Sequence, residues 1–183
     1  MSVVSPVNLK AWVEENRHLL KPPVGNKVVW QDETFIIMVV GGPNARKDYH
    51  VNETSEFFYQ VEGDITVGII NPDTGRPEDV IIREGEIFLL PPFVPHSPKR
   101  PANTVGVVVE QTRAPGMIDK LQFYSDDTHD LVYEAEFKLE NIQTDLKKIM
   151  DEFWSNEELR RNPKTGSIIA PPTEAAPPPP VKA

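Results

Sequence analysis

The chain contains no cysteine. Disulfides, thiol catalysis, zinc ribbons and iron–sulfur clusters are therefore excluded, and any bound metal must be held by nitrogen and oxygen donors. Cations are also scarce: 19 lysines and arginines stand against 28 aspartates and glutamates, a formal net charge of −9. A surface that neutralises nucleic-acid phosphates needs a basic stripe, so no nucleic-acid partner is expected. Long apolar runs are absent too, and nothing approaches the roughly 20 residues of a membrane span. The first residues, Met-Ser-Val-Val-Ser-Pro-Val-Asn, lack a basic stretch followed by an apolar one, the mark of a secretory leader. These absences together lead to the expectation of a cytoplasmic protein with no membrane association.

What is present suits one globular domain with short appendages: 183 residues, 39% hydrophobic and 26% charged. Leu9, Trp12, Val13, Leu19 and Leu20 fall near helical spacing over residues 8–20, with Pro22-Pro23 as the stop. The texture then changes to short β-rich runs at 28–30, 35–40, 56–61, 65–70, 80–82, 87–90 and 104–111. Turn material separates them, as in Gly41-Gly42-Pro43-Asn44 and Asn71-Pro72-Asp73-Thr74-Gly75. Many short strands with regular turns predict a mainly β sandwich or jelly roll.

A further strand is expected at 131–139, and a helix at 144–156 with Thr144 as N-cap and Ile142, Leu146, Ile149, Met150 and Phe153 as its apolar face. The proline-rich end, from Pro171-Pro172 through the run at 177–180, has no means of packing a core and is expected to be disordered or extended polyproline. The resulting division is an N-terminal helical segment (1–26), a barrel carrying the site (27–140), a C-terminal helical extension (141–170) and the tail (171–183).

The chemistry concentrates in His50-x5-Glu56 and, some forty residues on, His96. Two imidazoles and one carboxylate make a facial triad of the kind that holds iron(II) and leaves positions open for substrate and dioxygen. His50 and Glu56 are an even number of positions apart and share a face if the strand is regular, although residues 52–55 read as a bend. His96 follows the turn Pro91-Pro92-Phe93-Val94-Pro95, and adjacent strands of a small barrel could bring it opposite the first pair. Without their partners, His50 and His96 would read as solvated histidines, Glu56 as a strand-end acid, and Arg46 and Arg100 as surface charges. His18 and His129 match no motif and read as surface or structural residues.

Glu56 followed by Gly63, and Gly85-x5-Pro91-x4-His96, resemble the paired motifs of the cupin superfamily. The match departs from the common pattern in three places. Asn52 stands where a second histidine is usual, Phe93 where a glycine is usual, and Arg100 where a terminal asparagine is usual.

With those departures, one family is resembled closely: 3-hydroxyanthranilate 3,4-dioxygenase. The matching segments are residues 20–26, Val39-Val40-Gly41-Gly42-Pro43-Asn44, Asp48-Tyr49-His50, Glu56-Phe57-Phe58-Tyr59-Gln60, residues 84–92, and His96-Ser97-Pro98-Lys99-Arg100-Pro101.

The resemblance implies a cupin jelly-roll β-barrel with an N-terminal helix and short C-terminal helices. It implies one iron(II) per chain on His50, Glu56 and His96, and Arg46 on the dioxygen side of the site. Arg100 and Glu110, with the metal-facing Glu56, would contact substrate, and Arg46 and Glu110 would act in catalysis. The reaction implied is ring opening of 3-hydroxyanthranilate by dioxygen to 2-amino-3-carboxymuconate semialdehyde, the precursor of quinolinate in the route from tryptophan to NAD. A homodimer is also implied.

Bacterial members of that family carry a second, rubredoxin-like iron on two Cys-x-x-Cys pairs. Here Ser125-Asp126-Asp127-Thr128 and Asn162-Pro163-Lys164-Thr165 stand in their place. Hydroxyl and amide groups are poor substitutes for thiolates, so no second iron is expected. Two other classes share the barrel: a cupin sugar isomerase, which would not need dioxygen, and a catalytically inactive cupin binding module.

Overall fold

The computed structural model describes residues 3–21, 25–141, 144–173, 175 and 177–180. Helix α1 (Leu9–Asn16) is followed by eleven strands: β1 (Asn26–Gln31), β2 (Phe35–Gly41), β3 (Asp48–Val51), β4 (Glu56–Glu62), β5 (Ile65–Ile70), β6 (Pro77–Ile82), β7 (Ile87–Leu90), β8 (His96–Lys99), β9 (Val105–Gln111), β10 (Asp119–Tyr124) and β11 (Leu131–Phe137). Helix α2 (Asp145–Ser155) and a short 3-10 turn at Glu158–Arg160 come last. The strands form two antiparallel sheets, β1-β2-β9-β4-β7 and β11-β10-β3-β8-β5-β6. They pack face to face as the expected mainly β jelly roll, with Ile36, Met38, Phe58, Ile65, Val67, Ile82, Leu90, Val94 and Val108 between them. No helix among the described residues is long and apolar enough to cross a membrane.

Asn8 caps α1, its Oδ1 accepting the Ala11 N–H at 3.0 Å. The helix covers part of the outer face of the five-stranded sheet, where Val13 and Leu20 pack with Val39 and Val105. Leu19 departs from the expected apolar face and is 42% exposed. The last turn tightens to a 3-10 helix at Arg17–Leu19, which shifts the side-chain phase from 3.6 to 3 residues per turn. The proposed stop at Pro22-Pro23 lies outside the described residues, as does Ile142 of the expected apolar face.

Strands β3, β8 and β10 have no counterpart among the strands expected from sequence. Two of them are short and polar, Asp-Tyr-His-Val and His-Ser-Pro-Lys, and they are strands because their neighbours supply the ladder. At the C-terminal end, α2 packs on β10 and β11 through Leu146 and Phe153, whose ring stacks on Phe123 at 3.6 Å between centroids. Thr144 does not cap α2: its backbone is already helical and its side chain makes no capping bond. Asp145 instead accepts the backbone N–H groups of Glu140 and Asn141 at 2.8 and 2.7 Å. The two loops that replace the cysteine pairs are joined by hydrogen bonds. Ser125 Oγ lies 2.7 Å from Thr128 Oγ1, Asn162 Nδ2 donates to Thr128 Oγ1 at 3.2 Å, and Thr165 Oγ1 donates to Asp127 at 2.9 Å. The described tail residues form neither helix nor strand, and Pro180 O accepts a bond from Arg83 at 3.1 Å.

Candidate metal centre

Register places the candidate ligands. β3 and β8 are neighbours in the six-stranded sheet, and His50 sits directly opposite His96, their rings 5.5 Å apart. In the facing sheet β4 pairs with β9, and Glu56 sits opposite Glu110. Along β4 the buried positions alternate, so Glu56, Phe58 and Gln60 all point between the sheets. Glu110 does the same at the end of β9 and is 4% exposed. Two histidines on one sheet therefore face two glutamates on the other.

Ligand atoms of His50, Glu56 and His96 all lie within 4.8 Å of one another, and all three side chains are buried. His96 Nδ1 lies 3.0 Å from Val94 O. A carbonyl only accepts, so Nδ1 carries a proton, and Nε2 faces Glu56 Oε2 at 2.9 Å; burial opposes charge on His96, but Glu56 outweighs it and holds His96 above the usual imidazole range. His50 Nε2 lies 2.6 Å from Asp119 Oδ2, which makes Nε2 the protonated nitrogen and leaves Nδ1 bare. Burial holds His50 below the usual imidazole range, which favours the neutral form that binds metals. Burial works against the Glu56 carboxylate, but the adjoining His96 outweighs it and keeps Glu56 below the usual range. A bare nitrogen on His50, an imidazole nitrogen on His96 where a metal would replace the proton, and an ionised carboxylate within one small space fit a divalent metal with nitrogen and oxygen preference.

Beside this cluster lies Arg100, at 1% exposure the largest fully buried side chain. Its Nη1 donates to Gln60 Oε1 at 3.3 Å, and no carboxylate among the described residues lies within ion-pairing distance of it. Burial brings its pKa down to about 10 against the pull of Glu56. Its backbone is fixed from both sides by Asn44, whose Oδ1 accepts Arg100 N–H at 2.7 Å and whose N–H donates to Arg100 O at 3.0 Å. Space for the guanidinium depends on Gly106: a Cβ there would come 3.0 Å from Arg100 Nη1 and 2.7 Å from Gln60 Oε1.

Arg46 is engaged differently. Its guanidinium pairs with the buried Asp48 through Nε and Nη2. Burial pushes Glu110 up to about 7, helped by Glu56 and opposed by Arg113, whose Nη1 lies 2.8 Å from Glu110 Oε2.

All six residues singled out from sequence, Arg46, His50, Glu56, His96, Arg100 and Glu110, line one cavity of about 100 Å³ with the apolar side chains of Met38, Val40, Phe58, Val108 and Leu146. Sequence reading missed Asp48, Gln60, Arg113 and Asp119, the partners that hold these groups. Only Gln60 carried a local signal, its parity with Glu56 along β4. His18 and His129 are exposed, away from this cavity.

A sandwich of this topology has the architecture of a cupin, and His50, Glu56 and His96 are gathered between its sheets where they could hold a metal ion. Within that class, the 3-hydroxyanthranilic acid dioxygenase family matches residues 1–154, and the chain belongs to that family. The 3-hydroxyanthranilate 3,4-dioxygenase of Xanthomonas campestris pv. campestris (strain 8004) is 51% identical over 166 residues, covering 91% of this chain and 93% of that protein. The enzyme of the same name from Neurospora crassa is 48% identical over 164 residues, covering 90% and 89%. Among solved structures, a cupin-2 domain protein from Shewanella frigidimarina aligns with a TM-score of 0.45 and 15% identity, over 54% of this chain and 91% of that one.

Proposed function

We propose that this chain is an iron(II)-dependent 3-hydroxyanthranilate 3,4-dioxygenase, adding both atoms of dioxygen across ring carbons 3 and 4 to give 2-amino-3-carboxymuconate semialdehyde. The observation that carries the reading is the buried Arg100 guanidinium, without a carboxylate partner among the described residues and sharing a cavity with His50, Glu56 and His96. A desolvated cation of this kind is costly unless an anion completes it. The substrate brings one: a ring carboxylate, with amino and hydroxyl groups next to each other on the same ring.

His50, Glu56 and His96 would hold the iron, which would relay electrons from the substrate ring to ground-state dioxygen and so let the two react. Arg100 receives the carboxylate through a planar pair of charge-assisted bonds and so fixes which ring edge faces the triad. Glu110, raised toward neutrality, accepts a proton from the substrate hydroxyl at its free oxygen. Arg46, steadied by Asp48, places positive charge on the dioxygen side. Met38, Phe58, Val108 and Leu146 exclude water from the ring, which strengthens each of these interactions.

The protein works as a cytoplasmic homodimer with a single iron per chain. Its working parts follow the division into 1–26, 27–140, 141–170 and 171–183. Oxygen uptake by iron(II)-loaded protein on adding 3-hydroxyanthranilate, with mass spectrometry of the product, tests the reading. Iron-dependent uptake and a product heavier by two oxygen atoms support it. A folded, iron-loaded sample without uptake rejects the substrate.

A further inference from the structure

Two buried residues outside the triad join the metal side of the cavity to its substrate side. The guanidinium of Arg113, just beyond β9, is hydrogen-bonded to Asp119 and to the Gln111 carbonyl and lies in charge contact with Glu110. Nε and Nη2 donate to Asp119 Oδ1 and Oδ2 at 2.9 and 2.7 Å, and Nη1 donates to Gln111 O at 2.8 Å while lying 2.8 Å from Glu110 Oε2 as an ion pair. Asp119, at the start of β10, accepts the His50 Nε2–H at 2.6 Å. Side-chain exposure along this run is 5% for His50, 0% for Asp119, 5% for Arg113 and 4% for Glu110. The loop between Arg113 and Asp119 is anchored from the other side, where Ile118 N–H donates to Glu53 Oε1 at 2.8 Å, between His50 and Glu56 in the chain.

We infer that Asp119 and Arg113 are positioning residues that set the first histidine of the metal centre and the substrate-facing carboxylate in one fixed relation. The inference rests on the reading of His50 as a ligand and of Glu110 as the substrate acceptor. Asp119 acts on His50: an ionised carboxylate only accepts, so it selects the tautomer with Nδ1 bare and holds the ring plane. Released from it, the imidazole can turn a protonated nitrogen toward the metal, which cannot coordinate. Arg113 acts on both ends. A guanidinium can grip Asp119 through two donors, tie to the Gln111 carbonyl with a third and still lay its charge against Glu110, which an ammonium on a flexible stem cannot. The Arg113 charge thereby sits against one oxygen of Glu110, and the other is left for the cavity.

The test compares Asp119→Asn, Arg113→Gln, Arg113→Lys and the Asp119→Asn/Arg113→Gln double variant. Metal-free protein is titrated with cobalt(II) and with iron(II) against a chelator, and the visible spectrum of the cobalt form is recorded. Asp119→Asn keeps size and shape, so it carries the metal arm if Arg113→Gln fails to fold. Each single variant is expected to weaken metal binding about 10- to 100-fold and to alter the cobalt spectrum. Arg113→Lys should fail to restore the parent values, and the double variant should bind no more weakly than the worse single. In metal-saturated protein, Arg113→Gln should lower kcat for 3-hydroxyanthranilate at least tenfold with KM little changed. Parent-like cobalt affinity and spectrum in folded Asp119→Asn protein would overturn the inference, as would independent, multiplying losses in the double variant. The metal arm uses no organic substrate. Absence of turnover by the metal-loaded parent would therefore reject the functional reading while leaving the positioning of His50 to be judged on its own result.

Discussion

Replacing Arg100 by methionine separates what this residue does for function from what it does for folding. The guanidinium is 1% exposed, and burial brings it from its ordinary value down to about 10, which corresponds to roughly 3 kcal/mol held against the charged state. Its side-chain hydrogen-bond partner among the described residues, Gln60 at 3.3 Å, contributes about 1 kcal/mol. Gln60 also keeps its bond to Glu62 O at 2.8 Å when the arginine is gone. Methionine fills most of the same volume without the charge, so metal-free Arg100→Met should be more stable than the parent by roughly 2 kcal/mol. With a slope of about 2 kcal/mol/M, the urea midpoint should rise by roughly 1 M.

Function should move the other way. Losing a buried charge pair with the substrate carboxylate costs about 2–5 kcal/mol, roughly 30-fold to several-thousand-fold in kcat/KM. A substrate analogue without the carboxylate, 2-aminophenol, should be discriminated against by the parent and not by the variant. Urea denaturation followed by circular dichroism and steady-state oxygen uptake are the two assays. If Arg100→Met is destabilised by more than about 1 kcal/mol, the guanidinium is a structural strut and the reasoning fails.

His96→Ala should lose the metal whereas Arg100→Met retains it; elemental analysis of the two purified proteins decides, and equal loss would undo the division of roles. Gly106→Ala puts a Cβ 3.0 Å from Arg100 Nη1 and should raise KM for 3-hydroxyanthranilate about tenfold or more with metal content unchanged. Glu110 carries a pKa raised to about 7, so the folded protein keeps a proton that the unfolded chain releases. Stability of the metal-free protein should therefore fall as pH rises from the ordinary carboxyl range to about 7, and Glu110→Gln should flatten that slope in urea melts taken across the window. Phe153→Ala empties the stack with Phe123 and should cost about 3–5 kcal/mol of stability with metal affinity intact, since the pair lies outside the triad.

The amino-acid sequence by itself determined the candidate ligand set, the β character of the barrel and the family. Each rests on local information: the donor types at His50, Glu56 and His96, the alternation that buries Glu56, Phe58 and Gln60 together, and turn residues between short apolar runs. It did not disclose β3 and β8, because their short, largely polar segments are held by neighbours distant in the chain, nor β10, whose alternation rests on Leu121 and Phe123 alone. Only the tertiary structure put His50 opposite His96 and Glu56 opposite Glu110, since register between remote strands is settled by the packing of both sheets. The tertiary structure also left Arg100 buried without a carboxylate within reach among the described residues, gave Arg46 to Asp48, and ran His50, Asp119, Arg113 and Glu110 into one chain. Whether a charge is solvated, paired or held open for an anion depends on what folding places around it, and neither spacing nor composition records that.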